Sequence, residues 1–175
     1  MPAQRFVDAL NAQIANELAA SHQYLAAAIW YDAQTFPRLA AFFYRQALEE
    51  RDHAMMMVRY LLDTDSQAVV PDVRAPQAEF EDFKAPIALG LEQERQVGDE
   101  IDRLAGIARE EQDYRSENFV SWFLKEQVEE VATMAGLLQV AERAAERPQD
   151  VEDHLAREGA PHEARDPTAP PIAGG

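Results

Sequence analysis

The chain has 175 residues, of which 47% are apolar, and Asp plus Glu outnumber Lys plus Arg by 32 to 16, for a formal net charge of −16. This length suits one domain, and so strong a negative charge disfavours nucleic acid and anionic membranes as partners while attracting cations. Cysteine is absent, which excludes disulfides, thiolate zinc sites and iron–sulfur ligation and leaves Asp, Glu and His for any metal.

The first two predicted helices form a hairpin. Apolar residues recur three and four apart from Phe6 to about Asp32 without Pro or Gly, which predicts a helix of about seven turns. The segment TFPRL then interrupts the pattern, with Thr35 as the expected cap and Pro37 in the first turn of a second helix that runs to about Leu62. So short a link predicts that the two helices are antiparallel.

A long connection follows, and then a second hairpin. Prolines and polar residues from Asp63 to Asp82 indicate an extended segment, which can reach roughly 60 Å and so cross the whole bundle. Two further helices are expected from about Phe83 to Glu111 and from about Ser116 to Ala145, antiparallel because only QDYR separates them. The sequence therefore predicts an all-α four-helix bundle with one long crossover between the second and third helices.

We expect residues 1–147 to form this bundle, residues 148–159 to form a short C-terminal helix ended by Gly159, and residues 160–175 to be a flexible tail. The first residues lack the apolar run of a signal peptide, and no run of about 18 apolar residues occurs. We therefore expect a cytoplasmic protein with no membrane and no nucleic-acid partner.

The inward seam of every predicted bundle helix is interrupted by polar residues near its middle. Along such a seam, apolar residues should alternate at steps of four and three. The main interruptions are Glu17 in the first helix, Glu50 and His53 in the second, Glu94 in the third, and Gln127 and Glu130 in the fourth. Because each lies near the midpoint of its helix, these side chains should meet in one central layer whichever way the helices run.

Four carboxylates in one buried layer require neutralisation. An isolated carboxylate in a dry core costs several kcal/mol, and four would also repel one another. Protonation, pairing with Arg or Lys, or metal ions could neutralise them, and no seam position is Lys or Arg. Two divalent ions balance four carboxylates, with neutral His53 and Gln127 adding ligand or hydrogen-bonding capacity. Oxygen-rich ligation with an imidazole suits iron or manganese and, less specifically, zinc.

With these residues in register, the chain from Phe6 to Ala145 resembles bacterial non-haem ferritins, members of the ferritin-like di-iron carboxylate family. The resemblance lies in Glu17, Tyr24, the segment EERDH, Glu94 and the segment EQVEE. The pair Gln127 and Glu130 is similar to ferritins proper, whereas bacterioferritins repeat the Glu-x-x-His motif. Bacterioferritins also carry a haem-binding Met between Glu and His of the first motif. Here Arg51 and Asp52 stand there, so no haem is expected.

The resemblance implies a ferroxidase centre. In it, Glu17 and His53 belong to one iron, Glu94 and Glu130 to the other, Glu50 bridges the two, and Gln127 lies beside them. Two ferrous ions would give one electron each to dioxygen or peroxide, and ferric iron would pass to a mineral store. The resemblance further implies a third iron site that shares Glu130 with three flanking acids, Glu49, Glu126 and Glu129. It also implies a homo-oligomeric hollow shell of twenty-four subunits.

Several alternatives stay open on the sequence alone. The same bundle could be a di-iron oxygenase or peroxidase that stores no mineral, or an interaction module without metal. The hydroxyl of Tyr24 could bond a ligand carboxylate, donate an electron or simply pack in the core. Trp30 and Trp122 are interpreted as packing or interface residues. His22 lies off the seam, and His154 and His162 lie beyond the bundle, so none of the three is expected to bind metal.

Overall fold

The computed structural model describes residues 1–158 and 166–174, and the regular secondary structure in these ranges is entirely helical. The helices are α1 (Gln4–Ala33), α2 (Pro37–Asp63), α3 (Ala85–Glu110), α4 (Tyr114–Ala144) and α5 (Pro148–Glu158). The predicted all-α four-helix bundle with a crossover between α2 and α3 and a short C-terminal helix is confirmed.

Local hydrogen bonds explain where the helix ends differ from the predicted ones. Thr35 was wrongly expected to cap α2: its φ of 64° makes it the left-handed residue of the turn, and Phe36 precedes Pro37 without a side-chain cap. Helix α3 begins two residues later than expected, at Ala85, where a carboxylate oxygen of Asp82 accepts the backbone N–H. Helix α4 begins two residues earlier than expected because Asp113 caps it.

The crossover is fastened along the length of α1. The side-chain amide of Asn11 donates to the carbonyl of Gln67 at 2.9 Å and accepts from the N–H of Val69 at 2.8 Å. Three turns further along α1, Gln23 makes the same reciprocal pair of bonds, both 2.9 Å long, with the backbone of Gln77. The two amide side chains therefore satisfy backbone N–H and C=O groups of the crossover, which is neither helix nor strand and so lacks regular backbone hydrogen bonds there.

The acidic residues divide the apolar core into two halves. One half contains Phe6 to Ile14 of α1, Ala54 to Leu61 of α2, Val97 to Ala108 of α3 and Phe119 to Phe123 of α4. The other half contains the opposite ends of the same helices, with Tyr24, Tyr31, Phe43 and Met134 among its largest side chains. This pairing of ends makes α1 antiparallel to α2 and α3 parallel to α2, as the predicted crossover requires.

The C-terminal region lies against the bundle. Helix α5 inserts buried Glu152 at the start of α2, where its carboxylate accepts the N–H groups of Arg38 at 2.9 Å and Leu39 at 2.8 Å. Ala169 and Ile172 pack on the first core half, and the N–H of Ala173 donates to the carbonyl of Met55. The flexible tail expected over residues 160–175 stays a prediction, since residues 160–165 and 175 lie outside the described ranges.

None of the described helices is both long enough and apolar enough to cross a membrane.

Candidate metal centre

The polar seam residues meet in one layer between the two core halves. Glu17, Glu50 and Glu94 are each 1% exposed, and His53 and Glu130 are 5% and 6% exposed. The fourth helix also contributes Gln127, which is half-buried. The two apolar core halves therefore shield the layer from solvent above and below. Its carboxylates can be neutralised only by protons, by hydrogen bonds to one another or by cations.

One group of potential ligands joins α1 and α2. Glu17, Glu50 and His53 each offer a ligand atom within 4.8 Å of the others. Nδ1 of His53 lies 3.5 Å from one carboxylate oxygen of Glu50, because the two residues are one helical turn apart. Oε2 of Glu17 and Oε1 of Glu50 are buried and have no hydrogen-bond partner among the described residues. Such orphaned acceptors are rare in native proteins, and a bound cation or water would satisfy them.

Glu94 is held from two sides. The hydroxyl of Tyr24 donates to its Oε1, and the amide nitrogen of Gln127 donates to its Oε2 at 2.7 Å and to its backbone carbonyl at 2.9 Å. Tyr24 itself is 1% exposed and packs its ring 5.6 Å from that of Phe43. Of the roles left open for Tyr24, the structure provides packing and a hydrogen bond to a carboxylate of the layer.

A second group of acids extends from the layer toward solvent. Glu49, Glu126 and Glu130 each offer an oxygen within 4.8 Å of the others, with Glu49 exposed and Glu130 buried. The amide of Gln46 donates to Glu49 at 2.7 Å and to Glu130 at 3.4 Å and so joins Glu49 on α2 to Glu130 on α4. Glu129, which was predicted with them, is exposed and is not part of this group.

The proton affinities reflect the crowding. Burial is the main cause that raises the pKa of Glu17 and Glu50 well above the ordinary value, and neighbouring carboxylates add to it. Burial also raises the pKa of Glu94, against the opposing hydrogen bonds from Tyr24 and Gln127. Burial, followed by the charges of Glu49 and Glu94, raises the pKa of Glu130 to about 9. Without cations, the layer would therefore hold protons at neutral pH.

Basic side chains do not neutralise the layer. Across residues 1–158 and 166–174, the ion pairs of Lys and Arg involve other acids at the surface, such as Glu110, Asp63 and Glu117. Carboxylate oxygens with one imidazole are donors that suit divalent iron, manganese or zinc. Orphaned buried oxygens, raised pKa values and a suitable donor set together fit divalent cations.

Three residues near the layer were not assigned a role from the sequence. Gln13 is buried and donates to Oε1 of Glu17 at 3.0 Å, and its position one turn before Glu17 is the signal that could have identified it. Gln46 interrupts the seam of α2 and connects Glu49 with Glu130. Asp166 accepts a hydrogen bond from the indole of Trp122, a contact that no helical periodicity could predict.

The remaining candidates lie away from the layer. His22 is exposed, His154 lies 3.6 Å from Glu158 in a surface pair, and His162 lies outside the described residues. The ring of Trp30 packs edge-on against Tyr31 and Phe80. Trp122 packs against His53.

Comparisons with known proteins are consistent along the whole bundle. The family model described as Ferritin-like domain matches residues 7–144. The chain is 49% identical to Ferritin BfrB of Mycolicibacterium smegmatis over 93% of this chain and 90% of that protein. It is 35% identical to the bacterial non-heme ferritin of Staphylococcus epidermidis over 76% of this chain and 80% of that one. Among solved structures, an open pore ferritin of Archaeoglobus fulgidus superposes with a TM-score of 0.86 at 25% identity, covering 90% of this chain and 97% of the other.

Proposed function

The chain belongs to the ferritin family, and from that membership we propose that it is a non-haem, iron-storing ferritin that oxidises Fe(II) with dioxygen or peroxide in its buried acidic layer. The observation that carries the proposal is the pair of buried carboxylate oxygens, on Glu17 and Glu50, that have no partner among the described residues and lie beside His53. A cytoplasmic location stays a prediction.

Each residue of the layer has a distinct task in this proposal. Glu17 and His53 hold one Fe(II), Glu94 and Glu130 hold the other, and Glu50 lies between them. Tyr24 and Gln127 donate to the two oxygens of Glu94 and so fix the direction in which it presents its remaining lone pairs. Gln13 does the same for Glu17, leaving Oε2 free for a cation.

The surrounding core supports the chemistry in two ways. Apolar side chains above and below the layer exclude bulk water, so the attraction between carboxylates and cations is stronger than it would be at the surface. Two Fe(II) substrates supply one electron each to dioxygen, and the carboxylates remain as fixed ligands while the charge on the metal rises. Because the ligands carry four negative charges, they favour the loaded centre over the empty one.

We propose Glu49 and Glu126, together with Glu130, as a further binding position through which iron leaves or enters the layer. Support comes from their mutual spacing within 4.8 Å and from the change from buried Glu130 to exposed Glu49. The exposed Glu129 is proposed as a flanking acid that attracts cations at longer range.

The proposed assembly is a hollow homo-oligomeric shell of twenty-four subunits, as the resemblance implies. The net charge of −16 per chain would then supply acidic passages and an acidic inner surface. The absence of haem is proposed from Arg51 and Asp52, neither of which offers a thioether ligand.

The test is a comparison of iron oxidation by the parent with that by Glu50→Ala and His53→Ala. Both variants should oxidise Fe(II) far more slowly in the first seconds while eluting as cage-sized particles. The parent should also continue to accumulate iron far beyond a few ions per chain. An oxygenase or peroxidase built on the same bundle would instead stop near two ions per chain. Unchanged initial rates in both variants would contradict the site assignment.

A further inference from the structure

The imidazole of His53 is oriented by aromatic rings. The ring of Trp122 lies edge-on to it with centroids 5.7 Å apart and an angle of 74°, and Phe123 does the same at 5.7 Å and 79°. No hydrogen bond to the imidazole occurs within residues 1–158 and 166–174, where its Nδ1 lies 3.5 Å from a carboxylate oxygen of Glu50. Metal-binding histidines are usually oriented by a hydrogen bond from the second ring nitrogen, so here packing has to supply the orientation.

Trp122 is in turn fixed by the C-terminal segment, residues 166–174. Its indole Nε1 donates a hydrogen bond of 3.0 Å to Oδ2 of Asp166, 44 residues further along the chain. The indole ring also packs edge-on against the ring of Phe123, with the two centroids 4.9 Å apart. With a hydrogen bond at one end and ring packing at the other, the indole has little freedom to rotate away from His53.

Asp166 accepts two further hydrogen bonds through its carboxylate. Its Oδ1 accepts the N–H of Thr168 at 2.8 Å and the hydroxyl of Thr168 at 2.7 Å. The backbone bond from Thr168 and the indole bond from Trp122 lower the pKa of Asp166 to about 2, so the carboxylate is ionised throughout the neutral range. A charged acceptor strengthens the indole hydrogen bond relative to a neutral one.

The segment is anchored on both helices that border this side of the layer. Ala169 and Ile172 pack against the first core half, and Ala173 donates to the carbonyl of Met55, two residues after His53. Asp166 meets α4 at Trp122 and Ala173 meets α2 at Met55. The segment therefore spans from the helix that carries Trp122 to the helix that carries His53.

We propose that Asp166 is a positioning residue of the metal centre: it fixes the indole of Trp122, which holds the imidazole of His53 in the direction needed to bind a divalent cation. The C-terminal segment thereby preorganises a buried ligand that lies more than a hundred residues earlier in the chain. This inference rests on the proposed function because it requires His53 to be a metal ligand. The contacts of Trp122 with Asp166 and with His53 are independent of that function.

The test uses the assembled, metal-free protein with Co(II) as the probe, titrated by visible absorption. Asp166→Ala should weaken Co(II) binding by about three- to tenfold, below the 10- to 100-fold typical when a residue bonded directly to a ligand is removed. Asp166→Asn, which keeps a neutral acceptor for the indole, should stay within about twofold of the parent. It also keeps the experiment informative if the alanine variant does not fold.

A double-mutant cycle separates positioning from a general structural role. Trp122→Phe removes the indole N–H and keeps an aromatic ring beside His53, so adding Asp166→Ala to it should change the Co(II) affinity by less than about twofold. A second readout needs no metal. In a Trp30→Phe background, where Trp122 is the only tryptophan, Asp166→Ala should lower the fluorescence anisotropy of the indole.

The possible failures are distinguishable. If Asp166→Ala frees the indole but leaves Co(II) affinity unchanged, or if its effect persists in full with Trp122→Phe, the positioning role is wrong while the proposed function stands. If the parent does not bind Co(II) more tightly than Glu50→Ala does, His53 and its neighbours are not a metal site, and both proposals fail together.

Discussion

The side chain of Gln127 bonds Glu94 twice, through its amide nitrogen to the carboxylate at 2.7 Å and to the backbone carbonyl at 2.9 Å, and so ties α4 to α3 within the acidic layer. Tyr24 donates to the other carboxylate oxygen. Glu94 is thus a ligand candidate whose orientation is fixed before any cation arrives, and preorganised ligands lose less freedom on binding.

We predict that Gln127→Leu slows the initial oxidation of Fe(II) several-fold without disassembling the protein. The substitution leaves Glu94 with Tyr24 as its remaining donor, so its carboxylate is less well oriented, and loss of the stabilising bond raises its pKa further. The measurement is the initial rate of oxidation under excess dioxygen. Gln96→Leu, on the exposed side of α3, is the matched control and should oxidise iron at the parental rate.

Gly98 offers an independent way to disturb the same bond. A Cβ at Gly98 would lie 3.2 Å from Cγ of Gln127, whereas one at Gly106 on the same helix meets nothing within 4 Å. Gly98→Ala should therefore slow oxidation in the direction of Gln127→Leu, and Gly106→Ala should not. Equal rates in Gln127→Leu, Gly98→Ala and the parent would show that the Gln127 bond has no part in the chemistry.

The stability of the metal-free protein should fall as pH rises. The folded-state pKa of Glu130 is about 9 against an ordinary value of 4.5, and those of Glu17, Glu50 and Glu94 are also raised. Between pH 4.5 and pH 9 the folded state therefore binds more protons than the unfolded state. The contribution of Glu130 to the free energy of unfolding is fully present below about pH 4.5 and is lost as the pH rises toward 9. We expect a lower melting temperature at pH 8 than at pH 6 in the presence of a chelator.

Glu130→Gln isolates this effect, because it leaves the rest of the negative charge in place. Between pH 6 and pH 8, the melting temperature of the variant should fall less than that of the metal-free parent. Saturating metal should likewise reduce the fall in the parent. Because Glu50 is one of the mutually repelling carboxyl groups, Glu50→Ala should melt no lower than the metal-free parent. If the parent and Glu130→Gln have identical pH profiles, the buried carboxyl does not carry the predicted proton.

Much of this architecture could be predicted because helical periodicity reports burial directly. Of the residues predicted for the layer, Glu17, Glu50, His53, Glu94 and Glu130 are buried and Gln127 is half-buried, since a position on an inward seam remains there in any bundle. Thr35 shows what periodicity cannot supply: its side chain suits a cap, but the turn places it at positive φ. The contacts of Asp166 and Glu152 could not be predicted either, because they join residues far apart in sequence.

The position of Glu129 illustrates a finer limit. It was predicted to form, with Glu49 and Glu126, a third iron site that shares Glu130; the structure brings Glu49, Glu126 and Glu130 together and leaves Glu129 exposed. Adjacent residues on a helix point about 100° apart, so Glu129 lies beside the face of α4 that Glu126 and Glu130 share one turn apart. Family resemblance places acids near the site, but the angular position on α4 decides which of them converge.

This grouping predicts different effects for two neighbouring acids. Glu49→Gln should reduce the amount of Fe(II) bound per subunit in anaerobic titration, by about one ion, because it removes an oxygen from the group with Glu126 and Glu130. Glu129→Gln, on the same charged surface, should leave the stoichiometry unchanged. Equal losses for the two variants would indicate a diffuse electrostatic effect in place of a defined position.

Glu152 should stabilise the start of α2. Its carboxylate accepts the N–H groups of Arg38 and Leu39, which otherwise have no intrahelical partner, and the negative charge also complements the helix dipole. Loss of such a cap costs about 0.5–2 kcal/mol. We expect Glu152→Ala to lower the melting temperature, and the exposed Asp153→Ala, one residue away, to leave it nearly unchanged. A similar loss in both variants would mean that the capping bonds contribute little.

We propose that the acidic groups remain buried together because cations bind between them. The most direct measurement is the anomalous X-ray signal of crystals soaked with ferrous salt under anaerobic conditions. We expect two iron peaks inside the bundle, one between Glu17, Glu50 and His53, and one between Glu50, Glu94 and Glu130. Crystals that are saturated with iron at their surface but show no anomalous density among these side chains would contradict it.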